Sequence, residues 1–101
     1  MTVELTLHGE RLKHFTDDGW AEMLQLATEY GWQPEEDIDV WCGVVSDRDA
    51  RTMGEALLRA LAALDARERE QPTGWPSDFI RDRRKLAELM LKEGFSIEYW
   101  S

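Results

Sequence analysis

The feature that most constrains the fold is a long helical pattern that begins after Ser46. The Ser46 side chain can cap a helix by accepting from the amide of Asp49, and acids in a first turn complement the helix dipole. Three acid-before-base pairs at a spacing of four would each add a few tenths of a kcal/mol. We therefore predict a helix over residues 47–69. Its apolar stripe is Ala50, Met53, Leu57, Leu61 and Leu64, and its pairs are Asp47 with Arg51, Glu55 with Arg59 and Asp65 with Arg69.

Two shorter helical patterns lie on either side of this segment. Asp17 or Asp18 can cap the first, Gly31 suits its C-terminal end, and Pro34 follows as a stop, which predicts a helix over 18–30. The Pro- and Gly-containing stretch 71–76 breaks the long helix, after which Ser77 can cap a helix that runs over 77–93. The apolar positions are Trp20, Met23, Leu24, Ala27 and Tyr30 in the first, and Phe79, Ile80, Leu86, Leu89 and Met90 in the other.

The two ends of the chain alternate between apolar and polar residues, the pattern of a strand with one buried face. Residues 2–8 and 95–100 are predicted to pair in a small sheet, and residues 38–41 can supply a third strand. Two strands alone are marginally stable, so the helices must cover them. The prediction is an α+β fold, mainly helical, with three helices on this sheet. A length of 101 residues is that of a single domain, 1–101.

The acidic charge is concentrated in the first half of the chain. Residues 1–49 carry twelve acids and three bases, whereas residues 50–101 carry nine of each, so the whole formal charge of −9 belongs to the first half. Direct binding to nucleic acid needs a positive surface that replaces counterions on phosphates, and this composition argues against it. The charge is compatible with a basic protein partner, or with solubility alone.

Little in the sequence suggests catalysis or a membrane. Apolar runs are far shorter than the roughly 20 residues of a membrane span, the N-terminus lacks a signal-peptide pattern, and one cysteine forbids an internal disulfide, so a cytoplasmic location is expected. No metal or cofactor is predicted, because His8, His14 and Cys42 match no common ligand spacing. Cys42 is interpreted as a small core residue and His8 as an exposed strand residue.

The candidate binding residues are tryptophans and the acids between them. The cluster Glu35, Glu36, Asp37 and Asp39 lacks the glycine and ligand order of a calcium loop, so it is either a solvated loop or a docking patch that steers a basic partner. Trp32 and Trp41 flank it and can anchor an interface. Trp75, between a glycine and a proline, and Trp100 near the terminus either close the open end of the core or form a further aromatic contact.

Three stretches carry a resemblance: a helix that ends in Gly-Trp-x-Pro at residues 24–34, a Ser-x-x-Asp-Ala cap followed by a helix at 46–61, and a Gly-Phe-x-Ile ending at 94–100. Together they resemble a group of small bacterial proteins that has no known activity. These motifs are caps, stripes and turns. The resemblance therefore implies a fold, and it carries over no activity and no site residue.

Three functional hypotheses follow. The first is a non-enzymatic, acidic protein-binding module, for example an immunity or phage counter-defence protein that inhibits a basic or nucleic-acid-binding partner. The second is a small-molecule or metal-dependent enzyme that uses His8, His14 and the acids of 35–39. The third is a homo-oligomer, such as a homodimer, that pairs through its terminal strands or its second helix.

Overall fold

The computed structural model describes residues 2–7, 10–34, 41–70 and 77–100. Over these residues the chain forms three helices packed on a four-stranded antiparallel sheet, which confirms the predicted α+β class. The strands are β1 (Thr2–Leu7), β2 (Glu10–Thr16), β3 (Gly43–Val45) and β4 (Phe95–Trp100), in the order β2-β1-β4-β3. The helices are α1 (Asp17–Glu29), α2 (Asp47–Glu70) and α3 (Ser77–Met90).

The predicted terminal strands pair with each other in the centre of the sheet. Val3 of β1 lies opposite Tyr99 of β4, and Leu5 lies opposite Ile97. The other edge of β1 is taken by β2 over its whole length. Strand β1 therefore offers no free edge to a second copy of the chain.

Strands β2 and β3 were not predicted from the sequence. Pairing of β1 with β2 shifts register between Leu5 and Thr6, because the bulged Leu12 has no partner of its own. A bulge breaks period-2 alternation, and this is why residues 10–16 do not look like a strand. Of the candidate strand 38–41, residues 38–40 lie outside the described ranges and Trp41 is in a turn. The described strand that pairs with β4, on the side away from β1, is β3.

The sheet buries one face under the helices. Val3, Leu5 and Ile97 are at most 2 % exposed, whereas the residues between them point to the opposite, more polar face. Trp20 of α1 is fully buried, with its ring 5.5 Å from Phe15 and 6.5 Å from Phe95. It therefore joins the first helix to both sides of the sheet. None of the helices in the described ranges has both the length and the apolar content needed to cross a bilayer.

The helix ends differ slightly from the predicted ones. Thr16, rather than Asp17 or Asp18, caps α1: its hydroxyl accepts from the amide of Gly19 at 3.1 Å. Ser46 caps α2 as predicted, since its Oγ accepts from the amide of Asp49 at 3.2 Å.

Of the predicted acid–base pairs on α2, Asp65 and Arg69 are 3.2 Å apart. The guanidinium of Arg59, which was expected to pair with Glu55, donates to the carbonyl of Tyr30. Helix α3 ends at Met90, three residues earlier than expected.

Helices α2 and α3 approach closely at Gly54. A Cβ placed there would lie 2.6 Å from the backbone carbonyl oxygen of Ala87. Alanine is the better helix former by about 1 kcal/mol, but contact with a backbone atom cannot be relieved by a rotamer change. The contact with the Ala87 carbonyl oxygen therefore determines that an alanine at position 54 destabilises the fold.

We expect Gly54→Ala to lower the free energy of unfolding by about 1 kcal/mol, because an overpacking cost of roughly 1–3 kcal/mol is offset in part by the gain of about 1 kcal/mol in helix propensity. Urea denaturation followed by circular dichroism measures this difference. The exposed neighbour Glu55 provides the control, since Glu55→Ala should change stability by less than about 0.5 kcal/mol. A Gly54→Ala protein as stable as the parent would contradict the close helix crossing.

Candidate functional site

Trp32, one of the predicted binding residues, is built into the core. Helix α1 ends in a Schellman motif: Gly31 has a φ of +95°, the amide of Gly31 donates to Thr28, and the amide of Trp32 donates to Ala27. This turn directs the Trp32 side chain inward, where it is 6 % exposed. Its indole N–H donates to the carbonyl of Asp49 at 3.0 Å. Trp32 therefore joins the end of α1 to the first turn of α2.

The first turn of α2 is also tied to β4. The Asp47 carboxylate accepts from the amide of Gly94 at 2.7 Å, immediately before β4 begins. Space at Gly94 is tight, because a Cβ there would collide with the Val45 carbonyl oxygen. These contacts hold β3 beside the first half of β4, and they fix where the turn that contains Trp41 meets the sheet.

Trp41, the second described binding candidate, packs against the last strand. Its ring lies 6.0 Å from that of Tyr99, and the two ring planes stand at 83°. Trp41 is half-buried at the border of the core, and 36 % of Tyr99 is exposed. The rings of Trp41 and Tyr99 are therefore both partly exposed to solvent, and their planes differ in orientation.

The third member of this site is Asp17, the first residue of α1. The Tyr99 hydroxyl donates to Asp17 Oδ2 at 3.2 Å, and Asp17 Oδ1 is buried without a hydrogen bond inside the described ranges. The helix dipole favours a negative charge at this position. Asp17 therefore places a carboxylate beside the two aromatic rings. Within the described ranges this carboxylate accepts fewer hydrogen bonds than it could.

Asp17, Trp41 and Tyr99 line a cavity of about 240 Å³. We call these three residues the aromatic–acidic pocket. Its lining combines two aromatic rings, whose faces attract cations through their quadrupoles, with a carboxylate, which attracts them through its charge. The chemistry of the lining therefore suits an organic cation, and it disfavours phosphate and carboxylate groups.

The carboxylate also changes the titration of its neighbour. Desolvation of the phenol, the hydrogen bond that it donates to Asp17 and the negative charge of Asp17 together raise the pKa of Tyr99 above its ordinary value. The protonated phenol therefore contributes to stability below pH 10, and this contribution is lost as the pH rises through the raised pKa.

A second concave surface lies between α1 and α2. Glu22, Gln25, Leu26, Glu29 and Leu64 line a groove of about 250 Å³. Helix α1 carries the acids Asp17, Asp18, Glu22 and Glu29, and no Lys or Arg occurs in its sequence. The groove and the aromatic–acidic pocket therefore lie along one acidic helix.

The remaining predicted residues lie elsewhere or outside the described ranges. Glu35, Glu36, Asp37, Asp39 and Trp75 are outside these ranges, as is His8. Exposed His14 is on the outer face of the sheet, with Nδ1 3.7 Å from Glu4 Oε1. Cys42 was expected in the core, but it is exposed because it lies in the turn before β3. In the described part of the chain, no three His, Cys, Asp or Glu side chains are placed to hold a metal.

Of the three described residues that line the pocket, two were not identified as site residues from the sequence. Asp17 was considered as a helix cap, and Tyr99 as one residue of an alternating strand. Alternation does place Tyr99 on the same face as Phe95 and Ile97, which are buried. No local signal indicates, however, that this position meets the start of α1.

Comparison of the sequence with protein-family models, with curated proteins and with solved structures gives no match. The resemblance to the group of small bacterial proteins therefore stays a prediction. A functional proposal must rest on the geometry and charge of the chain itself.

Replacing Asp17 should shift the titration of Tyr99. In a Tyr30→Phe background Tyr99 is the remaining tyrosine, so its ionisation can be followed by ultraviolet absorbance. We expect Asp17→Asn to lower the pKa of Tyr99 towards its ordinary value of about 10, because the negative charge that disfavours tyrosinate is removed. Glu88→Gln, an equal change of charge at an exposed position of α3, should leave this pKa in place. Equal pKa values in all three proteins would contradict the contact between Tyr99 and Asp17.

Proposed function

We propose that this chain is a non-enzymatic, acidic protein-binding module that engages a basic partner through its first half. The observation that carries the proposal is the charge distribution. All of the net charge of −9 belongs to residues 1–49, and helix α1 contributes four acids and no base. An acidic surface attracts a basic partner over a Debye length of about 10 Å at 0.1 M salt, and it accelerates the encounter.

The pocket supports binding rather than a purely solubilising role for this charge. Solubility requires dispersed charges on a polar surface. Here a carboxylate lies beside two partly open aromatic rings, and Tyr and Trp are residues that dominate binding energy at interfaces. The acidic segment that contains Glu35 and Asp39 leads directly into Trp41 along the sequence, so acids also precede this site in the chain.

The proposed action is inhibition by occupancy. Proteins that bind nucleic acids present a basic surface to phosphates. An acidic module that covers this surface competes with the nucleic acid for it. An immunity protein or a phage counter-defence protein would act in this way.

Affinity capture from a lysate of the source organism or its host tests this proposal. Proteins retained by the immobilised chain are identified by mass spectrometry after washes at 0.1 M and 1 M salt, where the Debye length falls to about 3 Å. We expect a retained basic protein that is shed at high salt. Glu35→Gln combined with Glu36→Gln should reduce its capture.

The matched control is Glu55→Gln combined with Glu88→Gln, which removes the same charge from exposed positions of α2 and α3. This control should retain the partner as the parent does. Retention that does not depend on salt, or an equal loss of capture in both double variants, would overturn the proposal.

A further inference from the structure

We infer that the aromatic–acidic pocket accepts the guanidinium group of one arginine side chain from the partner. This inference rests on the proposed function, since it names the group by which a basic partner would be anchored. The geometric basis is the meeting of the Asp17 carboxylate with the rings of Trp41 and Tyr99 around one cavity.

The size of the cavity favours a side-chain end group. Pockets for drug-sized ligands typically have roughly 300–1,000 Å³, whereas this one has about 240 Å³ and is open to solvent. A whole cofactor or nucleotide would leave most of its surface outside. The end of one long side chain can enter the space, while the rest of the partner lies across the surface.

The lining matches a guanidinium better than an ammonium. A guanidinium is planar and weakly hydrated, so it can stack on an aromatic ring and still face a carboxylate. Trp is the aromatic side chain that attracts cations most strongly, and the contact strengthens when water is excluded. The rings of Trp41 and Tyr99 border the cavity with their planes at 83° to each other, so a planar cation that stacks on one ring meets the other at a steep angle.

Tyr99 has a positioning role in addition to its ring. Its hydroxyl donates to Asp17 Oδ2 at 3.2 Å, which holds the carboxylate at the wall of the cavity. The arginine would therefore meet a negative charge that is already oriented. Such preorganisation reduces the entropy lost on binding.

The test uses two peptides that differ only in charge. Acetyl-Gly-Arg-Gly-amide and its citrulline analogue, in which a neutral urea replaces the guanidinium, are titrated into ¹⁵N-labelled protein. The indole N–H resonance of Trp41, assigned with Trp41→Phe, reports binding. We expect the arginine peptide to shift this resonance and to bind at least about fivefold more tightly than the citrulline peptide, the effect of roughly 1 kcal/mol of cation–π attraction.

Two variants test the roles of the walls. Asp17→Asn and Trp41→Leu should each weaken binding of the arginine peptide about fivefold or more, whereas Trp41→Phe should retain part of the affinity. The two Trp41 variants lack the indole N–H, so their binding is followed through the backbone amide resonance of Tyr99. Glu88→Gln should bind as the parent does. The spread of amide resonances in each variant shows whether its fold is intact, so loss of binding by an unfolded protein is not mistaken for support.

The outcomes separate this inference from the proposed function. Equal affinities for the two peptides, or undiminished binding to folded Asp17→Asn and Trp41→Leu proteins, would overturn the inference. A basic partner captured equally well by these two variants would also overturn it, while the proposed function would stand. Selective arginine binding at Trp41 without capture of any basic partner would leave the pocket assignment in place and reject the proposed function.

Discussion

The hydrogen bond from the Trp32 indole to the Asp49 carbonyl is the contact on which the arrangement of the first half depends. It joins the Schellman end of α1 to the first turn of α2 across 17 positions of sequence, inside the core. Trp32 reaches this position because Gly31 adopts a positive φ and turns the chain inward. Ser46 caps α2 three residues before Asp49, and this cap fixes where the first turn, and with it the Asp49 carbonyl, is placed. The segment between α1 and α2 therefore begins and ends at fixed positions in the fold. Trp41 belongs to the second half of this segment.

The sheet brings the other two pocket residues to the same end of the molecule. Thr16, which precedes Asp17, lies opposite Thr2, and Thr2 lies opposite Trp100, which follows Tyr99. The start of α1 and the end of β4 are thus separated by one strand, about two interstrand spacings of ~4.8 Å. The long side chain of Tyr99 spans this gap to reach Asp17. A pocket that joins residues 17, 41 and 99 is consequently a product of strand order and register.

The sequence predicted those helix ends and helix faces that are specified by residues close together in the chain. The capping Ser46, the C-terminal Gly31 and the apolar stripe of α2 each specify an element through contacts within a few residues. Strand β2 was missed because its bulge at residue 12 breaks the alternation, and only pairing with β1 reveals it. Of the pocket, Trp41 was selected for its residue type. The roles of Asp17 and Tyr99 could not be predicted, because they depend on a contact between residues 82 positions apart.

The most direct test of this account is the observation of intermolecular nuclear Overhauser effects between protein and arginine peptide. We predict effects from the arginine δ-methylene protons to the ring protons of both Trp41 and Tyr99, the two aromatic residues of the aromatic–acidic pocket. Effects at Leu26 and Leu64 in the groove between α1 and α2, with none at the two rings, would contradict it. In that case the acidic helix would bind its basic partner along the groove, and the pocket at its N-terminus would have no part in recognition.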